Sequence, residues 1–143
     1  MRVDGKSMRS IWLEPDGCSV GIIDQTALPH RLITARLTTL DDAAHAIRAM
    51  LVRGAPLIGA AAAYGVCLAL RADASDEALE RACAILLTTR PTAINLKWAL
   101  DEMMAAVRPS PIYIDRGANL FLQFRQGRLS GWKGDWRKNW MWD

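Results

Sequence analysis

The chain has 143 residues, 51% of them hydrophobic, and a formal net charge of +3. That length and apolar content support one folded domain with a real core, plus a tail, and exclude wholesale disorder. No charge-free apolar run of about 18 residues is present for a membrane span, and Cys18, Cys67 and Cys83 are too scattered for a disulfide framework or zinc site.

The charge is unevenly placed. Residues 112–143 carry Arg116, Arg125, Arg128, Lys133, Arg137 and Lys138 against Asp115, Asp135 and Asp143, so the whole +3 lies there. The preceding part is electrically balanced and offers no argument for nucleic acid. The N-terminal MRVDGKSMRSIW has neither a hydrophobic signal core nor a cleavage pattern, which leads us to expect a cytoplasmic protein.

In chain order, SIWLEPDGCSVGIIDQ predicts a hairpin, with Ser10–Glu14 and Ser19–Asp24 joined by a turn at Pro15-Asp16-Gly17. HRLITARL, His30–Leu37, alternates enough for a third strand. Helices follow. Thr39 and Asp42 have capping-box spacing, and the helix they open puts Ala43, Ile47 and Met50 on one face. A second helix is expected to begin at Pro56, since proline suits the first helical position. Its apolar stretch from Pro56 to Leu70 reads as a buried helix too short to cross a bilayer. Within it Gly59-Ala60-Ala61-Ala62-Ala63 allows a neighbour to come close. Ser75 can cap a third helix with Leu79, Ala82, Cys83 and Leu86 inward. Thr92 can cap a fourth, with Leu96, Leu100, Met103 and Val107 at helical spacing. Arg108-Pro109-Ser110-Pro111 then ends the helical part.

Two stretches carry candidate chemistry. In Arg53-Gly54-Ala55-Pro56 an arginine stands just before a helix start, where free N–H groups and the helix dipole attract anions. Gly54 lets a ligand approach the backbone, and Arg53 offers forked donors to phosphate or carboxylate. The plainer account is an arginine paired with some Asp or Glu. TTRPTAINL, Thr88–Leu96, repeats the arrangement with Arg90, and the two arginines either converge on one anion or cap unrelated helices. Asp24-Gln25-Thr26 is a polar group at a strand end, or a junction that satisfies its own backbone. His30 has no partner in sequence, His45 has only Asp41 four residues before it, and neither reads as a general base.

IIDQT at 22–26, MLVRGAPLIGAAAAYG at 50–65 and TTRPTAINLKWA at 88–99 resemble, in order and spacing, the N-terminal domain of the S-methyl-5-thioribose-1-phosphate isomerase family. Its related branches are ribose-1,5-bisphosphate isomerases and initiation factor 2B regulatory subunits. The resemblance covers about residues 8–111. It implies an α/β domain of the α+β kind: a short antiparallel sheet followed by four packed helices, with the family's Rossmann-like C-terminal domain absent. It also implies conversion of 5-methylthioribose 1-phosphate to the ketose 5-methylthioribulose 1-phosphate, with neither metal nor other cofactor. Substrate binding by Arg53, Gly54, Ala55 and Arg90, and a homodimer as in the intact family, belong to the same implication. The family's catalytic cysteine and aspartate lie in the absent domain, so no catalytic residue transfers and the chain is expected to be truncated and inactive alone.

Residues 1–111 are therefore expected to be the isomerase domain. Residues 112–143 form an unrelated Trp-rich basic tail, disordered or frameshift-derived. Trp132, Trp136 and Trp140 at i, i+4, i+8 offer the alternative of a helix binding a membrane surface or single-stranded nucleic acid. For the domain itself the resemblance implies a small-molecule sugar phosphate as partner, without nucleic acid or membrane.

Overall fold

The computed structural model describes residues 2–3, 6–107, 111–113, 121–125 and 128–133, with side chains from residue 7 to 107. The chain divides into two compact units, Met1–Met103 and Met104–Asp143. The division falls eight residues before the expected boundary at 111.

The first unit opens with a small hairpin, β1 (Arg2–Val3) and β2 (Lys6–Ser7), which no periodicity in so short a stretch announces. Next come β3 (Ile11–Leu13), β4 (Val20–Ile23) and β5 (Thr34–Leu37), an antiparallel sheet ordered β3-β4-β5. The hairpin turn is where the sequence puts it. Asp16 accepts from the N–H groups of Cys18 (2.8 Å) and Ser19 (2.9 Å) and from the Ser19 hydroxyl (2.7 Å), and it pairs with Arg36. These donors, the Cys18 amide foremost, hold its carboxyl far below the usual range. Gly17 takes the left-handed conformation there, φ 64°. Every residue of β4 is buried. Opposite Trp12 the strand carries Gly21, and a Cβ on Gly21 would lie 2.2 Å from the indole, so the ring rests directly on the strand backbone. The third strand is shorter than expected. His30–Ile33 stay outside it because β4 offers only Val20–Ile23 to pair with Thr34–Leu37.

Four helices follow: α1 (Leu40–Arg48), α2 (Ala55–Ala72), α3 (Asp76–Thr89) and α4 (Ile94–Val107). The capping box of α1 is present. Thr39 Oγ1 accepts from the Asp42 N–H (3.1 Å), and Asp42 accepts in return from the N–H groups of Thr39 (2.9 Å) and Thr38 (2.8 Å). The Thr38 amide above all lowers the Asp42 pKa. A depressed folded-state pKa gives stability that is complete above the ordinary carboxylate range and is lost as the pH falls through it. Asp42→Ala is therefore expected to cost about 1–2 kcal/mol at pH 7. That difference from wild type should shrink as the pH drops below about 4, and urea unfolding at pH 7 and pH 3 measures both.

The α1 face is buried at Ala43 and Ile47 but not at Met50, which is 41% exposed. The reason is a helix ending of the Schellman type. The Leu51 N–H bonds the Ala46 carbonyl (2.9 Å), and the Met50 N–H bonds that of Ile47 (3.2 Å). Met50 thus stands in the left-handed position that glycine usually fills, φ 60°.

Helix α2 begins one residue before Pro56, at Ala55. It runs 18 residues and is long and apolar enough by composition to cross a membrane, which corrects the expected shorter segment. Here it packs against α1 and α3 instead. A Cβ on Gly65 would stand 2.9 Å from that of Ala43 and 3.2 Å from Leu86, so the three helices meet at a glycine. Ser75 caps α3 by accepting from the Ala78 N–H (3.1 Å), and Leu79, Ala82, Cys83 and Leu86 are buried as their spacing predicts. Helix α4 buries Leu96, Ala99 and Leu100, while Met103 and Val107 are only partly covered. Thr92 does not open it: residues 90–93 form a turn, Ala93 N–H to Arg90 carbonyl (3.0 Å), and the helix starts at Ile94.

In the second unit β6 (Pro111–Tyr113), β7 (Phe121–Arg125) and β8 (Arg128–Lys133) form an antiparallel sheet ordered β6-β7-β8. This corrects the expectation of a disordered or helical tail over those residues, since Trp132 lies in a strand paired with Leu122. Trp136, Trp140 and Trp142 lie outside the described residues.

Candidate functional site

Both arginine-bearing helix starts belong to the first unit, and they open on one cavity of about 450 Å³. Gly54, Ala55 and Ile58 line it from the start of α2, and Arg90, Thr92, Ala93, Ile94 and Asn95 from the turn into α4. What brings the two together is the small residue expected from the alanine-glycine run. On Gly59 a Cβ would lie 3.0 Å from the Asn95 backbone carbonyl, so α2 and α4 approach backbone to backbone.

Gly54 is the N-cap of α2, with φ 88° and ψ 138°, a backbone state essentially reserved for glycine. It has no side chain to cap the helix, and the first intrahelical bond runs from the Ile58 N–H to its carbonyl (3.0 Å). The N–H groups of Ala55 and Leu57 precede that bond and have no helical acceptor, while Pro56 has no N–H at all. The helix start therefore presents amide donors and a partial positive charge at the cavity, with Arg90 on the other wall. Among the described residues neither Arg53 nor Arg90 forms an ion pair.

Arg53 adjoins Gly54 but is not itself part of the lining. Its Nε donates to the Met50 carbonyl (3.3 Å), and its backbone N–H donates to Gln25 Oε1 (3.0 Å). Asp24 serves the local backbone: its Oδ1 accepts from the Thr26 hydroxyl (2.6 Å) and N–H (2.8 Å). Those bonds, with a smaller contribution from the charge of Arg53, lower its pKa. Ile58, Thr92 and Asn95 were not expected as site residues from the sequence, Thr92 being read only as a helix cap. They fall inside the stretches already quoted, but only the α2–α4 approach shows that they line a shared space.

Among the described residues, none that lines the cavity is a carboxylate, histidine or cysteine. Burial pushes the Cys67 thiol up, away from the thiolate a nucleophile needs. His45 is exposed, and its expected pairing with Asp41 is not among the ion pairs of the described residues. The cavity wall thus sets a helix start and an arginine beside the apolar Ile58 and Ile94.

The model of the initiation factor 2 subunit family matches residues 51–117. The chain's three-stranded antiparallel sheet and four helices match the family's N-terminal domain. The chain is similar to methylthioribose-1-phosphate isomerases: that of Paramagnetospirillum magneticum is 61% identical over 112 residues, 78% of this chain and 31% of the relative. The crystal structure of 5-methylthioribose 1-phosphate isomerase from Pyrococcus horikoshii is 39% identical, with a TM-score of 0.61 over 68% of this chain and 28% of that one. The structure of translation initiation factor eIF-2B subunit delta from A. fulgidus is 38% identical, with a TM-score of 0.64 over 70% of this chain and 30% of that one. The chain thus spans about 30% of the length of the curated isomerases it matches. The family match also runs six residues past the expected boundary at 111.

Proposed function

We propose that this chain serves the isomerisation of 5-methylthioribose 1-phosphate to 5-methylthioribulose 1-phosphate, a methionine-salvage step, and that its share is substrate binding. The observation that supports this is the convergence of Gly54-Ala55 and Arg90 on one cavity, with Arg53 beside it. Amide donors at the α2 start and the Arg90 guanidinium suit a phosphate. Ile58 and Ile94 give the same cavity an apolar side for the rest of the ligand.

Aldose–ketose conversion moves hydrogen between C1 and C2 of the sugar and needs a group that takes and returns it. With no such group among the lining residues, the transforming residues belong elsewhere, and the chain alone binds without turning over. Titrating the purified chain with 5-methylthioribose 1-phosphate by calorimetry, while following the sugar by NMR, tests both halves. Heat of binding with an unchanged sugar spectrum is the expected result. Product formation would overturn the division of labour, and absence of binding would overturn the site. Ribose 1,5-bisphosphate in a parallel titration decides between the two sugar phosphates.

The likeness to the initiation factor subunit supports a second reading, a regulatory or assembly domain without a ligand of its own. Anion binding that is lost in Arg53→Ala favours the isomerase; anion binding that ignores the substitution favours the assembly domain.

A further inference from the structure

We propose that Gln25 is a positioning residue for the Arg53-Gly54-Ala55 segment, holding it in the conformation that receives the anion; this rests on the function proposed above. The segment follows a helix end that would otherwise leave it loose. Met50 already departs to φ 60° and Gly54 to φ 88°, so the five residues 50–54 contain two left-handed turns of the backbone. A chain that bends twice in five residues needs an external hold to keep one course.

Gln25 supplies that hold from 28 residues away, and at two points. Its backbone N–H donates to the Leu51 carbonyl (2.9 Å), and its side-chain Oε1 accepts the Arg53 N–H (3.0 Å). Between those two bonds Val52 is fully buried. Gln25 is itself well anchored. The preceding Asp24 N–H bonds the Ile33 carbonyl (2.8 Å), and the Asp24 carboxylate is closed onto Thr26. The sheet thereby sets the place of the Arg53 peptide, and with it the direction of the α2 start.

The residue type follows from the chemistry. The Arg53 amide requires an acceptor, so the oxygen of the Gln25 amide must face it. A neutral acceptor does this without adding a second negative charge to that of Asp24, whose carboxylate already interacts with the charge of Arg53. The Arg53 Nε is meanwhile occupied by the Met50 carbonyl, which leaves the two terminal nitrogens of the guanidinium for a ligand.

The test compares wild type, Gln25→Met and Gln25→Glu in the full chain, by amide hydrogen exchange at residue level and by calorimetry with 5-methylthioribose 1-phosphate. Gln25→Met keeps the side-chain length and removes the acceptor. It should speed exchange of the Arg53 amide about tenfold and weaken the ligand about tenfold, the weight of one hydrogen bond, while α3 amides stay as protected as before. Gln25→Glu restores an acceptor and should restore Arg53 amide protection, although its charge disfavours the ligand. Unchanged Arg53 exchange or unchanged affinity in Gln25→Met overturns the proposal. So does an equal loss of protection across α3, which would make Gln25 a general stability residue. If wild type itself binds no ligand, the proposed function fails, and the hold on the segment is then judged on the Arg53 amide alone.

Discussion

Arg90→Ala is expected to weaken binding of 5-methylthioribose 1-phosphate roughly ten- to hundred-fold, the range of one charged hydrogen-bonding group removed from an anion. Arg90 lies at the C-terminal cap of α3, and its backbone shape is set by its carbonyl's bond to the Ala93 N–H rather than by its side chain. The guanidinium forms no ion pair among the described residues, so truncating it leaves no buried carboxylate unpaired. The unfolding midpoint should therefore move little while affinity collapses. Arg90→Lys keeps the charge but loses the planar fork, and should fall between the two. Calorimetry on the three forms, with urea unfolding as control, decides the matter. Equal affinity in all three would remove Arg90 from the site.

The largest stability effect is expected at Gly65. A Cβ there already stands 2.9 Å from the Ala43 Cβ, closer than real Cβ atoms approach, and Leu86 closes the other side at 3.2 Å. The Ala43 methyl is fixed to its own helix backbone and cannot rotate away. Gly65→Val must then push α1 and α3 off α2, at about 2–4 kcal/mol. For a domain of this size that is a large part of a total of about 5–15 kcal/mol. Adding Ala43→Gly removes the fixed methyl and should recover part of the loss, although glycine weakens α1 by up to about 1 kcal/mol. Urea unfolding of Gly65→Val, Ala43→Gly and the double variant measures this coupling. Simple additivity would show that the helices do not meet as described.

What could be read from the sequence divides by range. The caps of α1 and α3 were legible because Thr39, Asp42 and Ser75 act on amides three residues away. The Asp16 turn was legible for the same reason. Met50 misled because helical spacing continued past the point where the helix closed on itself. Pro56 and Thr92 misled by one or two residues. Gly54 took the capping place from a conformation no side chain reveals, and the turn at 90–93 displaced Thr92. At the candidate site, Arg53, Gly54, Ala55 and Arg90 were visible as two similar patterns. That Gly54, Ala55 and Arg90 share a cavity depends on the contact of α2 with α4, which spans some 36 positions of chain. The role of Gln25 depends on a bond across 28. Neither separation leaves a periodic trace.

Gly59 adds a consequence of its own. It sits about one helical turn beyond Ala55, and the Asn95 carbonyl fills the space its side chain would take. The aperture between the two helix starts is therefore set by a missing carbon atom. A single methyl group at that point would act as a wedge, prising α4 outward by the few tenths of an ångström a 3.0 Å contact demands. The spacing between amide donors and guanidinium would widen with it. Affinity at the proposed site is thus expected to be adjustable from Gly59, a position outside the cavity lining.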